Sequence, residues 1–317
     1  MKKIICVILF CTIIAVVPSC MTLTNDKPYV IGTVFPQYDI AREIGADDIR
    51  CEMLLPPGAD SHSYTGDDPT DIYKISKCDL FIYVGGETDS SWVDRVREKL
   101  KDEEHKPVFL ALCDVCETIG EEEDGIIEGE EEEEEESAEE GYDEHVWTSP
   151  KNAIAISRAV ANELCKLSPD KAKTFRSRQE GYEAKLEVLN EKFETLCTDG
   201  TKKPLIFADR FPFRYFANEY GFTCYAAFNG CATQSEPSPT TVVRLCKLVE
   251  KYDIPYVFYI ETSNSGVPDL ICKNTGCGKL LLHSCHTVTQ SELDSGVTYL
   301  SLMEQNYTNL EKAIKND

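Results

Sequence analysis

Two of the chain's five histidines stand in segments suited to metal chemistry. His62 lies in the loop Pro56-Pro-Gly-Ala-Asp-Ser-His-Ser-Tyr64, and His145 follows a run of Glu in Tyr142-Asp-Glu-His-Val-Trp-Thr-Ser-Pro-Lys-Asn-Ala153. A neutral imidazole offers a nitrogen lone pair that suits zinc and other borderline divalent ions, so both are candidate ligands. Ser149 and Pro150, just after His145, form a helix-start signal: an N-cap, then proline at the first helical position. His145 should therefore sit in the turn before a helix, where the positive end of the helix dipole favours the neutral ring. His105, in Asp102-Glu-Glu-His-Lys106, reads as a solvated loop residue.

The elements that must position these loops alternate. Tyr29 to Val34 is a β-rich run, and Pro36 to Gly45 has helical apolar spacing. Cys51 to Leu55 is a second strand candidate leading into the His62 loop; Asp68-Pro69 starts another helix, and Leu80 to Val84 is a third strand. Further on, Phe175, Tyr182, Leu186, Leu189, Phe193 and Leu196 mark one face of a long amphipathic helix opened by Ser168-Pro169. Strand candidates follow at Leu205 to Ala208, Cys224 to Phe228, Tyr256 to Glu261 and Lys279 to Leu282. The expected fold class is α/β: two lobes, 27–167 and 199–317, each with a mostly parallel sheet flanked by helices, joined by one long rigid helix over 168–198. In such sheets ligands bind beyond the carboxyl ends of the strands, which places the default site in the crevice between the lobes.

The net charge of -24 is largely local, because residues 121–140 carry fourteen Asp or Glu and no Lys or Arg. That block repels itself and buries nothing, so an acidic disordered loop is expected over 117–143. It could exchange cations weakly or only add solubility. No basic stripe is visible, and nucleic acid is not an expected partner. Residues 1–20 read as a basic start, an apolar run from Ile4 to Val17 and then Pro-Ser-Cys20, which fits an export signal better than a membrane span because the uncharged stretch is short for one; simple secretion and a retained anchor are the alternatives to lipidation. The pattern resembles a bacterial lipoprotein signal, with Cys20 as the lipidated residue and a lipid-anchored location on the extracellular face of the cell membrane, or in the periplasm if there is an outer membrane. Of fifteen cysteines, twelve remain after Cys6, Cys11 and Cys20 are set aside; even parity permits disulfides without assigning them. Cys113-Asp-Val-Cys116 has neither a second pair nor a thioredoxin-like context, and reads as structural.

The two histidine loops resemble those of the metal-binding receptors of ABC importers, the cluster that takes up zinc or manganese. In that family a Pro-Gly-Ala-x-x-His-x-aromatic loop supplies the first ligand, matched by Pro57 to Tyr64. An x-His-x-Trp-x-Ser-Pro-x-Asn-Ala segment supplies the second, matched by Glu144 to Ala153, with an acidic insertion directly before it. The resemblance continues through Glu236-Pro-Ser-Pro239, the strand ending in Glu261 and Gly296 to Met303, and covers essentially the whole mature chain. It implies ligands at His62, His145 and His283, with the fourth position open to His286, Asp209, Glu261, Cys285 or water. One position departs from the pattern: Arg210, in Arg210-Phe-Pro-Phe-Arg-Tyr-Phe216, stands where the family has a His or Glu ligand. A guanidinium has no lone pair to give, so Arg210 is expected to be structural, pairing with Asp209 or Glu236.

What the resemblance implies is a monomeric, lipid-anchored receptor, not an enzyme, that holds one divalent cation and passes it to a membrane permease driven by a separate ATPase. A histidine-rich set favours zinc over manganese, which prefers more oxygen donors. No P-loop occurs, so the chain itself should not hydrolyse ATP, and no H-E-x-x-H helix supports the alternative of a metal-dependent hydrolase. A manganese receptor and an adhesin are the alternatives within the family.

Overall fold

The computed structural model describes residues 27–59, 61–120, 141–199, 203–230, 237–261, 263 and 266–315. The signal segment with Cys20, the 121–140 acidic run and Glu236 lie outside the described residues.

Short β-branched and aromatic runs become strands. β1 (Tyr29–Gly32), β2 (Arg50–Met53), β3 (Leu80–Tyr83) and β4 (Val108–Ala111) form a parallel sheet in the order β2-β1-β3-β4. β5 (Leu205–Phe211), β6 (Cys224–Asn229), β7 (Tyr256–Tyr259) and β8 (Gly278–Leu281) repeat that order as β6-β5-β7-β8, again parallel. Parallel neighbours need crossovers, supplied in the first sheet by α1 (Phe35–Gly45), α2 (Pro69–Lys77) and α3 (Glu87–Leu100). α4 (Pro150–Leu167) and α5 (Ala172–Asp199) follow, and α6 (Arg214–Tyr220), α7 (Pro239–Tyr252) and α8 (Val267–Thr275) serve the second sheet. A short α9 (Gln290–Asp294) and α10 (Tyr299–Lys315) close the chain. The two-sheet α/β architecture expected from the sequence is the one observed. β4 and α3 had no counterpart in the sequence reading, since Val108 is exposed and the helix is mostly polar.

The start signals act as the residue types require. The Asp68 side chain accepts from the Thr70 N–H, that of Ser149 from Asn152 and that of Ser238 from Thr241, each followed by proline at the first helical position. Strand alternation divides the interior. Val30 and Phe207 face one core that runs continuously through both lobes, while Ile31 faces a separate core under Trp92 and Val93, and Ile206 another with Leu245 and Ile271. The six apolar residues read as the stripe of α5 are all buried in the shared core. α5, at about 1.5 Å per residue roughly 42 Å long, packs on α1, α4 and α10. Among the described residues no helix is long and apolar enough to cross a membrane, and every cysteine is a free thiol.

Candidate metal centre

Both sheets turn their carboxyl ends to the same cleft, and the predicted site residues follow those ends. His62 comes after β2, His145 after β4, Asp209 and Arg210 close β5, Glu261 follows β7, and His283 and His286 follow β8. In both sheets the chain order reverses about the first strand, the switch point at which open α/β sheets leave a crevice.

His62 occupies a single 3-10 turn, Ser61–Ser63. The loop before it is held by N–H donation from Leu54 to Gly32 O (2.8 Å) and from Leu55 to Thr33 O (3.1 Å). Gly58, with φ of 80°, allows the reversal that brings its N–H to Thr287 Oγ1 at 2.9 Å. Behind the histidine, Tyr64 sits edge-on to Trp92 and donates to Asp71 at 2.7 Å. His62 Nδ1 lies 3.3 Å from Thr88 Oγ1.

His145 is fully buried and is fixed by the two acidic residues before it. Asp143 Oδ1 accepts from the His145 N–H at 2.8 Å and lies 3.2 Å from Nδ1, an arrangement that puts the proton on Nδ1 and leaves Nε2 with its lone pair. Glu144 Oε1 accepts from Thr88 N at 2.7 Å, anchoring the segment at the N-terminus of α3, where a carboxylate is favoured. The Tyr215 hydroxyl donates to Asp143 O at 2.6 Å. A Cβ on Gly230 would lie 3.1 Å from His145 Cε1 and 2.9 Å from Phe211 O, so the absence of a side chain there lets the second lobe close on the ring.

After β8 the chain makes a tight loop. Asn306 brackets His283, accepting from its N–H at 2.7 Å and donating to its carbonyl at 2.8 Å. The His283 Nδ1 accepts from Cys285 N at 2.9 Å, and Cys285 takes a φ of 60°. Ser284 donates to Glu261 through its N–H (2.8 Å) and its hydroxyl (2.5 Å). Those bonds turn His286 towards the other two rings, and its Nε2 lies 2.6 Å from Ser61 Oγ.

The result is a nearly equilateral triangle of imidazoles. The ring centroids of His62, His145 and His286 are 5.8, 5.3 and 5.6 Å apart, taken pairwise as His62–His145, His62–His286 and His145–His286. One ring nitrogen from each lies within 4.8 Å of those from the other two. Zn–N bonds of about 2.1 Å in a tetrahedron need nitrogens about 3.4 Å apart, so modest ring movement suffices. Trp147 packs on His145 and His286, at 5.5 and 5.4 Å, walling one side. Desolvation, then the charges of His62, His145 and Arg210, hold the His286 pKa well below its ordinary value, which keeps the ring neutral and able to donate a lone pair. The three rings line two cavities: a small one of about 10 Å³ shared with Trp92 and Glu144, and a larger one of about 180 Å³ shared with Arg210, Glu261 and Ser284.

The structure therefore brings His62, His145 and His286 together and keeps His283 out. The fully buried His283 spends its Nδ1 on the loop that aims His286, so the residue matched to the late-strand ligand is three positions before the ring that enters the cluster. Asp209 and Glu261 stand at the cleft with their carboxylates engaged, Asp209 by Arg210 N (2.8 Å) and Ile260 N (3.4 Å). Glu261 is engaged by Ser284. The Cys285 thiol is fully buried beside His283 O, and burial raises its pKa well above the usual thiol range. Asp143, Trp147 and Gly230 escaped the sequence reading as site residues; the first two lie inside the His145 motif and could have been found there.

A family model described as zinc-uptake complex component A, periplasmic, matches residues 30–313. The zinc-binding lipoprotein AdcA of Streptococcus pneumoniae is 26% identical over 302 residues, covering 95% of this chain and 59% of that protein. The chain thus spans about three fifths of the length of that relative. The high-affinity zinc uptake system protein ZnuA of Bacillus subtilis is 27% identical over 290 residues, 92% of this chain and 88% of that one. Among solved structures, the metal-dependent lipoprotein YcdH of Bacillus subtilis superposes with a TM-score of 0.75 at 24% identity, covering 91% of this chain and all of that one.

Proposed function

The chain belongs to the zinc-uptake complex component A family, and from that premise we propose that it is a receptor that captures one divalent cation, zinc, in the cleft between its sheets for delivery to an ABC permease and its ATPase. The observation that carries the reading is the convergence of His62, His145 and His286, three imidazole donors on three different loops. Nitrogen donors suit zinc better than manganese, and no carboxylate in the described cluster supplies the oxygens that manganese prefers. The relatives named for zinc binding and zinc uptake support the same cargo. Lipidation at Cys20, with the receptor on the outer face of the membrane, completes the proposal and rests on the signal-like sequence before it.

Release in this reading comes from movement of the His62 loop, because α5 packs on helices of the first lobe and on α10, and the shared core resists a wide hinge. The test is competition titration of the mature protein beside a His62→Ala, His145→Ala double variant. One equivalent of zinc, retained against excess manganese and lost in the variant, is the expected result. Metal kept by the variant would move the site elsewhere, and manganese preference would replace the cargo.

A further inference from the structure

Cys272 and Cys277 flank the turn that joins α8 to β8, packed with Cys246 of α7 at the margin of the core that holds Leu245 and Ile271. α8 stops at Gly276, whose φ of 80° and N–H donation to Cys272 O at 2.9 Å close the helix in the left-handed manner. That turn folds the residue after Gly276 back onto the last helical turn, and Cys277 Sγ lies 3.8 Å from Cys272 Sγ. Caps of this kind commonly place an apolar contact between those two positions. Here both positions carry thiols that are half-buried, and a Cβ built on Gly276 between them would meet nothing within 4 Å, so the pair is approachable from solvent. Burial, then the neighbouring Cys277 sulfur, push the Cys272 pKa up to about 11, while the positive charge of Lys279 works against them. Thiolate chemistry at this sulfur therefore quickens as pH rises.

We propose that Cys272 and Cys277 form a dithiol site that a small-molecule disulfide converts to an intramolecular disulfide. One cysteine thiolate attacks a sulfur of the reagent and expels one small thiol; the second thiolate then attacks the mixed disulfide and expels the other. The S–S bond of the reagent breaks and the Cys272–Cys277 bond forms. The two cysteines are oxidised, and the two electrons and two protons they give up leave in the two small thiols. The sulfurs must close from 3.8 Å to about 2.05 Å, a movement within reach of side-chain rotation because the turn already brings the two residues together. An oxidising compartment of the kind that receives exported proteins preserves such a bond. The bridge fastens the end of α8 to the start of β8, the edge strand of the second sheet. It lies at the amino end of β8, whereas His283 and His286 follow the carboxyl end, so the inference stands apart from the metal-receptor reading.

The test equilibrates the folded, pre-reduced mature protein with equal amounts of oxidised and reduced glutathione at mildly alkaline pH. Remaining thiols are then alkylated, and tryptic peptides are read by mass spectrometry. Lys273 lies between the two cysteines, so a bridge appears as peptide 252–273 joined to peptide 274–279. The joined species is expected in roughly tenfold excess over the doubly alkylated pair, as for a structural disulfide that resists glutathione, and is expected to be absent from Cys277→Ser. Oxidised wild type should also unfold at higher urea than the same protein held in dithiothreitol, with equal zinc stoichiometry in both forms; this comparison needs no variant to fold. Alkylation of both cysteines, a glutathione adduct that never closes, or a bridge from either cysteine to Cys246 would each overturn the proposal. A urea midpoint indifferent to oxidation would overturn the fastening of α8 to β8, and zinc lost on oxidation would overturn its separation from the cleft.

Discussion

The indole Nε1 of Trp147 donates to the carbonyl of Ser284 at 2.9 Å, tying the turn that carries His145 to the loop that carries His286. The bond is buried and joins residues 137 apart in sequence. Its neighbour reinforces it: the Tyr299 hydroxyl donates to Trp147 O at 2.6 Å, while the Tyr299 N–H donates to the buried Asp39 at 2.7 Å. Trp147→Phe keeps much of the ring packing and removes only the donor. It should cost about 1–3 kcal/mol through the unsatisfied carbonyl and weaken zinc binding several-fold, read by urea unfolding and competition titration. An unchanged metal affinity would mean that the two loops are aligned by other contacts.

His283 holds the loop through Cys285 N, while His286 stands in the cluster of three rings proposed to bind the cation. His286→Ala should abolish stoichiometric binding with little effect on stability, whereas His283→Ala should retain one equivalent and destabilise by about 2 kcal/mol through the lost acceptor for Cys285 N. Metal analysis and denaturant melts of the two variants side by side decide the assignment. The reverse outcome would restore His283 as the ligand.

Asp143 contacts His145 and is not part of the cluster formed by His62, His145 and His286. Asp143→Asn should leave the fold intact and lower zinc affinity about 10–100-fold, the usual cost of losing a carboxylate behind a ligating imidazole. A ¹⁵N shift of the His145 ring, reporting a changed tautomer, is the signature that a purely structural defect would not produce.

Burial pushes the Asp89 carboxyl up to about 7 from its ordinary 3.8, against the stabilising N–H groups of Val84 and Gly85. With the folded pKa raised, the folded state holds a proton between about pH 4 and 7 that the unfolded chain has released. This group's contribution to stability is therefore greatest below pH 4 and falls as pH climbs through 7. The stability advantage of wild type over Asp89→Asn should shrink from pH 5 to pH 8, measured by unfolding at each pH. A difference that grows with pH would contradict a protonated Asp89.

Metal-free and zinc-loaded protein should scatter X-rays almost alike, because the core that includes Phe35, Trp147, Leu186, Phe207 and Leu302 is continuous across both lobes. A radius of gyration that shrinks on loading as in a widely hinged receptor would refute release by loop movement.

The sequence carried the architecture well where local and tertiary demands coincide. The α5 stripe, the Asp68 and Ser149 caps and the apolar strands are each specified by near neighbours. The His62 and His145 loops were legible because glycine, proline and capping residues surround them. The choice between His283 and His286 was not, because it depends on a positive φ at Cys285 and on Asn306 reaching back to the strand end, both products of tertiary packing. The role of Trp147 was hidden for the same reason, since its partner lies on the other lobe.

The residues at the cleft lie on strand ends and on the loops that follow the strands, and Trp147 joins them to the shared core. The donors differ in how closely they are tied to folding: His145 is buried against Trp147 of the core, whereas His62 stands on a half-buried loop turn.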